Sequence, residues 1–242
     1  MDGLSLLNFV IGLSSLIFVG VQITIGIIIS SKYFKLKEKT FLLIGIGWAG
    51  ICSPWWASSV AFINYLIVGY GIPQRVYFLL GNAFLHIFIT LYLYGILKLI
   101  YSKRRNLILY PFIIIGIAFL TYFFVFLILD PSVIGNLSGL FDVTYKSLVM
   151  IYLIVCMLTI FIPGIFLGRE SLKSDLKELK FRGKLLIIAY ILYLVGAFLD
   201  ASIEQIAITL IATRTTLITG SVLFYLGFLM PSFVKNLFIK NI

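Results

Sequence analysis

The sequence predicts an all-α integral membrane protein, a seven-transmembrane-helix bundle with its N-terminus outside and its C-terminus cytoplasmic, on three observations. Of its 242 residues, 62% are hydrophobic and 12% charged, far from the roughly 45–50% apolar and 25% charged residues of soluble domains, and mean hydropathy is +1.14. Charges divide the chain into seven apolar runs, each long enough for the roughly 20 residues with which a helix crosses a bilayer while pairing its own backbone groups. The basic residues are one-sided. Of the 19 Lys and Arg, all but Arg75, Lys146 and Arg214 fall in alternate connections or in the C-terminal tail, the side held in the cytoplasm.

The formal net charge of +10 therefore reports topology and attraction to the anionic headgroups of the lipid bilayer. A nucleic-acid partner is not expected, because there is no soluble basic face and no recognition motif. Residues 1–242 read as one membrane domain without a soluble domain, as a monomer or an oligomer, in the plasma (cell) membrane. The opening "MDGLSLLNFV" carries Asp2 and no basic residue before its apolar run, so the first span is expected to be retained rather than removed as a leader. Short connections predict antiparallel neighbours in one bundle.

The first span, near Leu4–Ser30, aligns Asn8, Gly12, Ser15, Gln22 and Gly26 on one protein-facing stripe. The second, Thr40–Val68, contains "GIGWAG" (Gly45–Gly50), a letter-for-letter match to G-x-G-x-x-G. That fingerprint works only between a strand and a helix. Inside an apolar span these glycines read as close helix packing, as do Gly164 and Gly168 further on. The same span holds "SPWW" (Ser53–Trp56): Pro54 removes an amide donor and predicts a kink. Trp55 and Trp56, near the span's centre rather than at an interface, are either packing aromatics or the wall of a ligand cavity. The loop that follows has one Pro73-Gln74 pair, where the small transporters built on such pairs carry two.

The third span, Val76–Leu99, spaces Asn82, His86, Thr90 and Tyr94 four residues apart, a polar stripe that must turn away from lipid. His86 is the only histidine, which disfavours a seven-helix zinc hydrolase with its several His ligands. Its imidazole is either a structural hydrogen-bonding group or a ligand contact and proton-sensitive switch. The fourth span, Leu107–Leu129, contains Pro111 and leads into the outer loop Asp130–Asp142, with an Asn136-Leu137-Ser138 sequon. The fifth, Thr144–Gly168, contains Pro163. Arg169–Lys184 then sets Leu172, Leu176 and Leu179 at i, i+4 and i+7 and reads as an amphipathic helix that lies at the headgroup boundary or docks a cytoplasmic partner. Cys52 and Cys156 both fall within spans, so no disulfide framework is indicated.

In the sixth span, Lys184–Glu204, the residues Tyr190, Tyr193, Ala197, Asp200 and Glu204 share a face; in the seventh, Ala207–Met230, Arg214, Ser221 and Tyr225 do. A turn near Ile206 would set Asp200 and Arg214 at matching depth. Three readings stand for these groups: a structural ion pair, a ligand or ion site, or solvation at the span's end. From Pro231 the tail reads as a short interfacial piece.

No span interior holds a lysine, so a retinal Schiff base is disfavoured and no cofactor is expected. Neither a nucleophile–base set nor a metal cluster is visible, so an enzyme is not expected. Eukaryotic G-protein-coupled receptors match poorly, since Asp-Arg-Tyr after the third span and Asn-Pro-x-x-Tyr in the seventh are both missing. The absence of an internal repeat counts against a repeat-built transporter.

The closing stretches "FRGKLLIIAYILYLVGAFLDA" (181–201) and "TRTTLITGSVLFYLGFLMP" (213–231) resemble the last two helices of prokaryotic seven-helix membrane sensor (input) modules, such as those preceding sensor kinases. The resemblance spans about a fifth of the chain and implies a receptor-like, sensory protein that binds a small or membrane-borne ligand. With no kinase attached, the signal would pass to a separate cytoplasmic partner at Arg169–Lys184. The alternative is a small-solute or lipid transporter with proton or cation coupling through Asp200, Glu204 and His86. Ligand-binding candidates are thus Trp55, Trp56, Asn82, His86, Tyr190, Tyr193, Asp200, Glu204 and Arg214.

Overall fold

Long apolar runs with few breakers become long helices, and the interruptions are where polar chemistry collects. A computed structural model describes residues 4–101, 103–202 and 206–238. Helix α1 (Leu6–Leu36) starts where the Ser5 hydroxyl accepts the Asn8 amide at 3.2 Å and stops at Lys37, which turns left-handed. The second span is broken into α2 (Lys39–Ile51) and α3 (Ser53–Val68), bent by 54°. Pro54 lies in the first turn of α3, where its missing N–H belongs to a set without helical partners anyway, so the expected kink becomes a full break. Next come α4 (Gln74–Asn82) and α5 (Leu85–Ile100), separated at Ala83 and Phe84 with no proline to announce it.

Helix α6 (Arg105–Leu129) leads through a 3-10 turn at Pro131–Val133 into strands β1 (Gly135–Leu137) and β2 (Val143–Tyr145), an antiparallel hairpin with Gly135 opposite Tyr145. The chain then forms α7 (Ser147–Leu172), α8 (Lys177–Ser202), α9 (Ala207–Leu229) and the short α10 (Ser232–Phe238). Six stretches, with α4 and α5 taken as one, are long and apolar enough to cross a membrane, and the bent α2–α3 pair makes a seventh if it is one span. The protein is all-α in its membrane portion.

The helices form a ring in the order α1, α2, α5, α7, α8, α9, with α9 returning to α1, while α6 packs outside it against α5. Its Ile114, Ile128 and Leu129 are 66–72% exposed, a lipid-facing surface rather than a core defect. Glycine seams set the ring's spacing. A methyl at Gly45 would stand 2.6 Å from the Gly26 carbonyl of α1, and one at Gly183 would stand 2.6 Å from the Gly168 carbonyl of α7. Backbones therefore touch at α1–α2 and α7–α8, as the sequence predicts for Gly45 and Gly168.

That α7–α8 contact corrects one expectation. Arg169–Lys184 is not a separate amphipathic helix: α7 runs on to Leu172, α8 begins at Lys177, and a tight turn joins them. Leucines at i, i+4 and i+7 suit one helix or two helix ends, and the Gly168–Gly183 approach brings the ends together. At this basic end Arg182 donates to the carbonyls of Gly227 (3.1 Å) and Phe228 (2.5 Å), closing the end of α9. The Lys235–Glu178 pair at 2.5 Å ties down α10.

Across the middle of the ring lies a packed layer. Trp48, fully buried, stacks on Phe224 at 3.7 Å. Gln22 donates to the Trp48 carbonyl at 2.9 Å and accepts from Ser221 at 2.5 Å, and the hydroxyls of Tyr92 and Tyr190 bond to each other. The stripes read from α1 and α9 thus meet here.

Replacing Gly45 by Ala is expected to destabilise the protein by about 1–3 kcal/mol through overpacking against backbone that cannot yield. Gly20 has open space around its Cβ position, so Gly20→Ala is expected to leave Tm unchanged or slightly raised. Thermal unfolding of both variants in detergent checks the pair.

Candidate functional site

Between the packed layer and the β-hairpin lies a partly open chamber of about 620 Å³. Its polar end begins with Asp200 near the end of α8 and Arg214 about two turns inside α9. Arg214 Nη1 lies 2.7 Å from Asp200 Oδ1, with the two side chains 7% and 14% exposed. The other carboxylate oxygen accepts the Trp55 indole N–H at 2.8 Å, and Thr213 donates to Oδ1 at 3.3 Å. The Arg214 guanidinium sits 5.5 Å over the Trp55 ring, a cation–π contact. Trp55 reaches these partners because the α2–α3 break redirects α3. The pair foreseen from the two spans is present, with a third member that spacing could not supply.

The charge contact does not satisfy the arginine. Among the described residues, Arg214 Nε and Nη1 have no well-aligned hydrogen-bond acceptor, and neither does the buried Tyr193 hydroxyl. At 2.7 Å, Nη1 is close to Asp200, but its N–H bonds do not point along that contact. Both Arg214 and Tyr193 line the chamber.

The hairpin closes the top. Phe141, fully buried, wedges against Phe62 and Tyr65. Its carbonyl accepts from the Tyr77 hydroxyl at 3.0 Å, and that hydroxyl also bonds Ser58 at 2.8 Å. Gln74 donates to the Gly135 carbonyl at 2.9 Å. Asp142 faces the chamber from the same hairpin, with Oδ1 accepting its neighbour's amide from Val143 at 2.8 Å. Burial pushes the Asp142 carboxyl above its ordinary range; the Val143 bond opposes this, the Asp200 charge adds to it, and Arg214 lowers it. Burial likewise pushes the Tyr145 hydroxyl up to about 12, so it remains neutral. Ser5, Asn8, Ser138 and Thr144 add further polar groups to the lining, and Ile51, Leu85, Ile89, Leu153, Met157 and Ile160 give it an apolar wall.

Four of the sequence candidates line this chamber: Trp55, Tyr193, Asp200 and Arg214. The others do not. Trp56 donates to Cys52 Sγ at 3.3 Å and borders a separate shallow groove beside Phe88. Asn82 is a step removed, donating to the Tyr145 hydroxyl at 3.0 Å. His86 is buried between α5, α6 and α7, stacked on Phe112, with Nδ1 2.8 Å from the Tyr152 hydroxyl; Gly116 of α6 makes room for it. Tyr190 lies in the layer beneath. Glu204 is outside the described residues. The polar stripe of the third span is thus turned inward, as its spacing requires, but toward α6 and α7. Asp142, Tyr77 and Ser58 went unnoticed in the sequence. No spacing rule links a loop acid to residues 58 positions away, and only the folded hairpin brings Asp142 near Asp200.

No protein-family model, no curated protein and no solved structure matches the chain. The site defines the class only as far as its geometry goes: a multi-helix membrane protein with a partly open, charge-bearing chamber at one end.

Removing Arg214 strands a buried carboxylate, so Arg214→Ala is expected to cost roughly 3 kcal/mol. Adding Asp200→Asn in the same chain is expected to recover most of that loss, as measured by thermal unfolding of the single and double variants. Asp142 gives a pH-dependent expectation. A carboxyl raised in the folded state binds its proton more tightly there than in the unfolded chain. The penalty is absent below the unfolded pKa of about 3.9 and grows as pH rises through the folded value. Asp142→Asn is therefore expected to raise Tm at pH 7, with the gap closing toward pH 4.

Proposed function

We propose that this protein is a receptor-like sensory membrane protein that binds a small or membrane-borne ligand in the chamber and signals through a separate partner. The chamber carries the reading. Its volume lies within the roughly 300–1,000 Å³ typical of small-ligand sites, and its few convergent polar groups among apolar walls are what such sites use for orientation. The one-sided distribution of Lys and Arg supports a cell-membrane orientation in which the α7–α8 turn and α10 face the cytoplasm and the hairpin faces outside. A partner or an anionic lipid surface would then meet Lys173, Leu176 and Lys177, all exposed at that turn.

Binding without passage is favoured over transport by the layer of Trp48, Phe224, Tyr190 and the Gln22–Ser221 bond beneath the chamber. A solute crossing the ring would have to dismantle it. His86, an expected coupling group, also lies outside the chamber lining.

The test is a thermal-shift screen of small amphiphiles on the purified protein in nanodiscs, with each hit assayed for counterflow in sealed proteoliposomes. Stabilising hits are expected to lose their effect in the chamber-filling variants Ala197→Trp and Met157→Trp and to show no flux. Saturable counterflow of a hit would make the protein a transporter, and hits indifferent to both variants would remove the chamber from the account.

A further inference from the structure

The ligand's chemistry can be taken one step further, resting on the reading of the chamber as a ligand site. Among the described residues, three charged side chains border it: Asp142 from the hairpin, Asp200 from α8 and Arg214 from α9. Asp200 neutralises Arg214 at 2.7 Å, so the pair carries no net charge, and ionised Asp142 leaves the chamber at minus one. A purely anionic ligand would add a second uncompensated negative charge to a low-dielectric space. A purely cationic ligand would answer Asp142. It would still leave Arg214 Nε, Arg214 Nη1 and the Tyr193 hydroxyl, all in residues at least 94% buried, without a well-aligned acceptor among the described residues. Unmade hydrogen bonds of this kind are costly.

A head that carries an acceptor anion and a donor cation a few ångströms apart meets both demands. We propose that the chamber binds an apolar α-amino acid as its zwitterion. The carboxylate accepts from Arg214 and Tyr193, the ammonium donates to Asp142, and the side chain lies along Ile51, Leu85, Ile89, Leu153, Met157 and Ile160. Arginine suits the first contact because its charge is permanent and its donors are fixed in a plane matched to a carboxylate. At the second, Asp142 has one carboxylate oxygen occupied by the Val143 amide and the other available. The apolar walls exclude polar side chains and select leucine-, phenylalanine- or tryptophan-like ones.

The experiment is calorimetric titration of the full-length protein in nanodiscs, with empty nanodiscs as control. L-leucine, L-phenylalanine and L-tryptophan are compared with 2-phenylethylamine, 3-phenylpropanoate and 3-phenylpropanol, which lack the carboxylate, the amine and both. At least one amino acid is expected to bind tenfold or more tightly than each of the three analogues. Asp142→Asn, which keeps the shape and the Val143 bond, is expected to weaken amino-acid and amine binding at least tenfold and to strengthen 3-phenylpropanoate binding, since it removes a like charge. Tyr193→Phe is expected to weaken the amino acid and 3-phenylpropanoate but not the amine. The proposal is overturned if an analogue binds as tightly as every amino acid, or if no amino acid binds. Binding of 3-phenylpropanol equal to that of phenylalanine, abolished by Ala197→Trp, would overturn the zwitterion while leaving the chamber intact as a ligand site.

Discussion

Hydrocarbon offers no hydrogen bonds, so each break in a helix within a membrane has to be compensated by protein or placed beside a cavity. Among the described residues two breaks fall inside membrane-length stretches, at Cys52 and at Ala83–Phe84, and both α2–α3 and α4–α5 wall the chamber. The first sends α3 off at 54° to α2 and so carries Trp55 to Asp200. The second separates Tyr77 and Asn82, which serve the hairpin, from His86, which faces α6 and α7. Helix discontinuity is thus what gives this bundle a site rather than a filled core.

The Asp200–Arg214–Trp55 group ties α8, α9 and α3 together at one end of the ring. A buried ion pair is weak evidence for stability, since the loss of hydration of both partners offsets most of their attraction. Its consequence here is geometric. Carboxylate, indole and guanidinium must keep one register between three helices, and that register holds the arginine's remaining donors against the chamber. The arrangement neutralises a charge without saturating its hydrogen bonds, a condition in which a polar ligand gains more than in a fully paired site.

The outer connection does more than join α6 to α7. Its 3-10 turn and hairpin bury Ile134 and Phe141, accept from Tyr77 and Gln74, and set Asp142 over the chamber. The packed layer at mid-ring, with Trp48 stacked on Phe224 and Gln22 bridging to Ser221, forms the opposite wall. The chamber is therefore bordered by a layer inside the bundle and by the loop-derived hairpin: close-packed aromatics on one side, a three-residue ladder on the other.

Composition, run length and charge asymmetry were enough to determine an all-α membrane protein, the approximate spans, the kink at Pro54, the glycine seams and the inward stripes of Gln22, His86 and Asp200. These are properties of local order: a lipid-spanning helix must be apolar for about 20 residues, and polar residues at helical spacing must share a face. The matching depth of Asp200 and Arg214 was legible for the same reason, because a short connection makes consecutive helices antiparallel neighbours. Which inward faces meet was decided only by the tertiary structure. Spacing along one helix carries no information about the angular position of a helix several spans away. His86 and Asn82 therefore share the inward stripe yet lie outside the chamber lining, Trp56 borders a separate groove, and Asp142 reaches the chamber from the loop. The continuous helix read from Leu172, Leu176 and Leu179 was undone likewise, since only the backbone contact of Gly168 with Gly183 shows that the chain doubles back there.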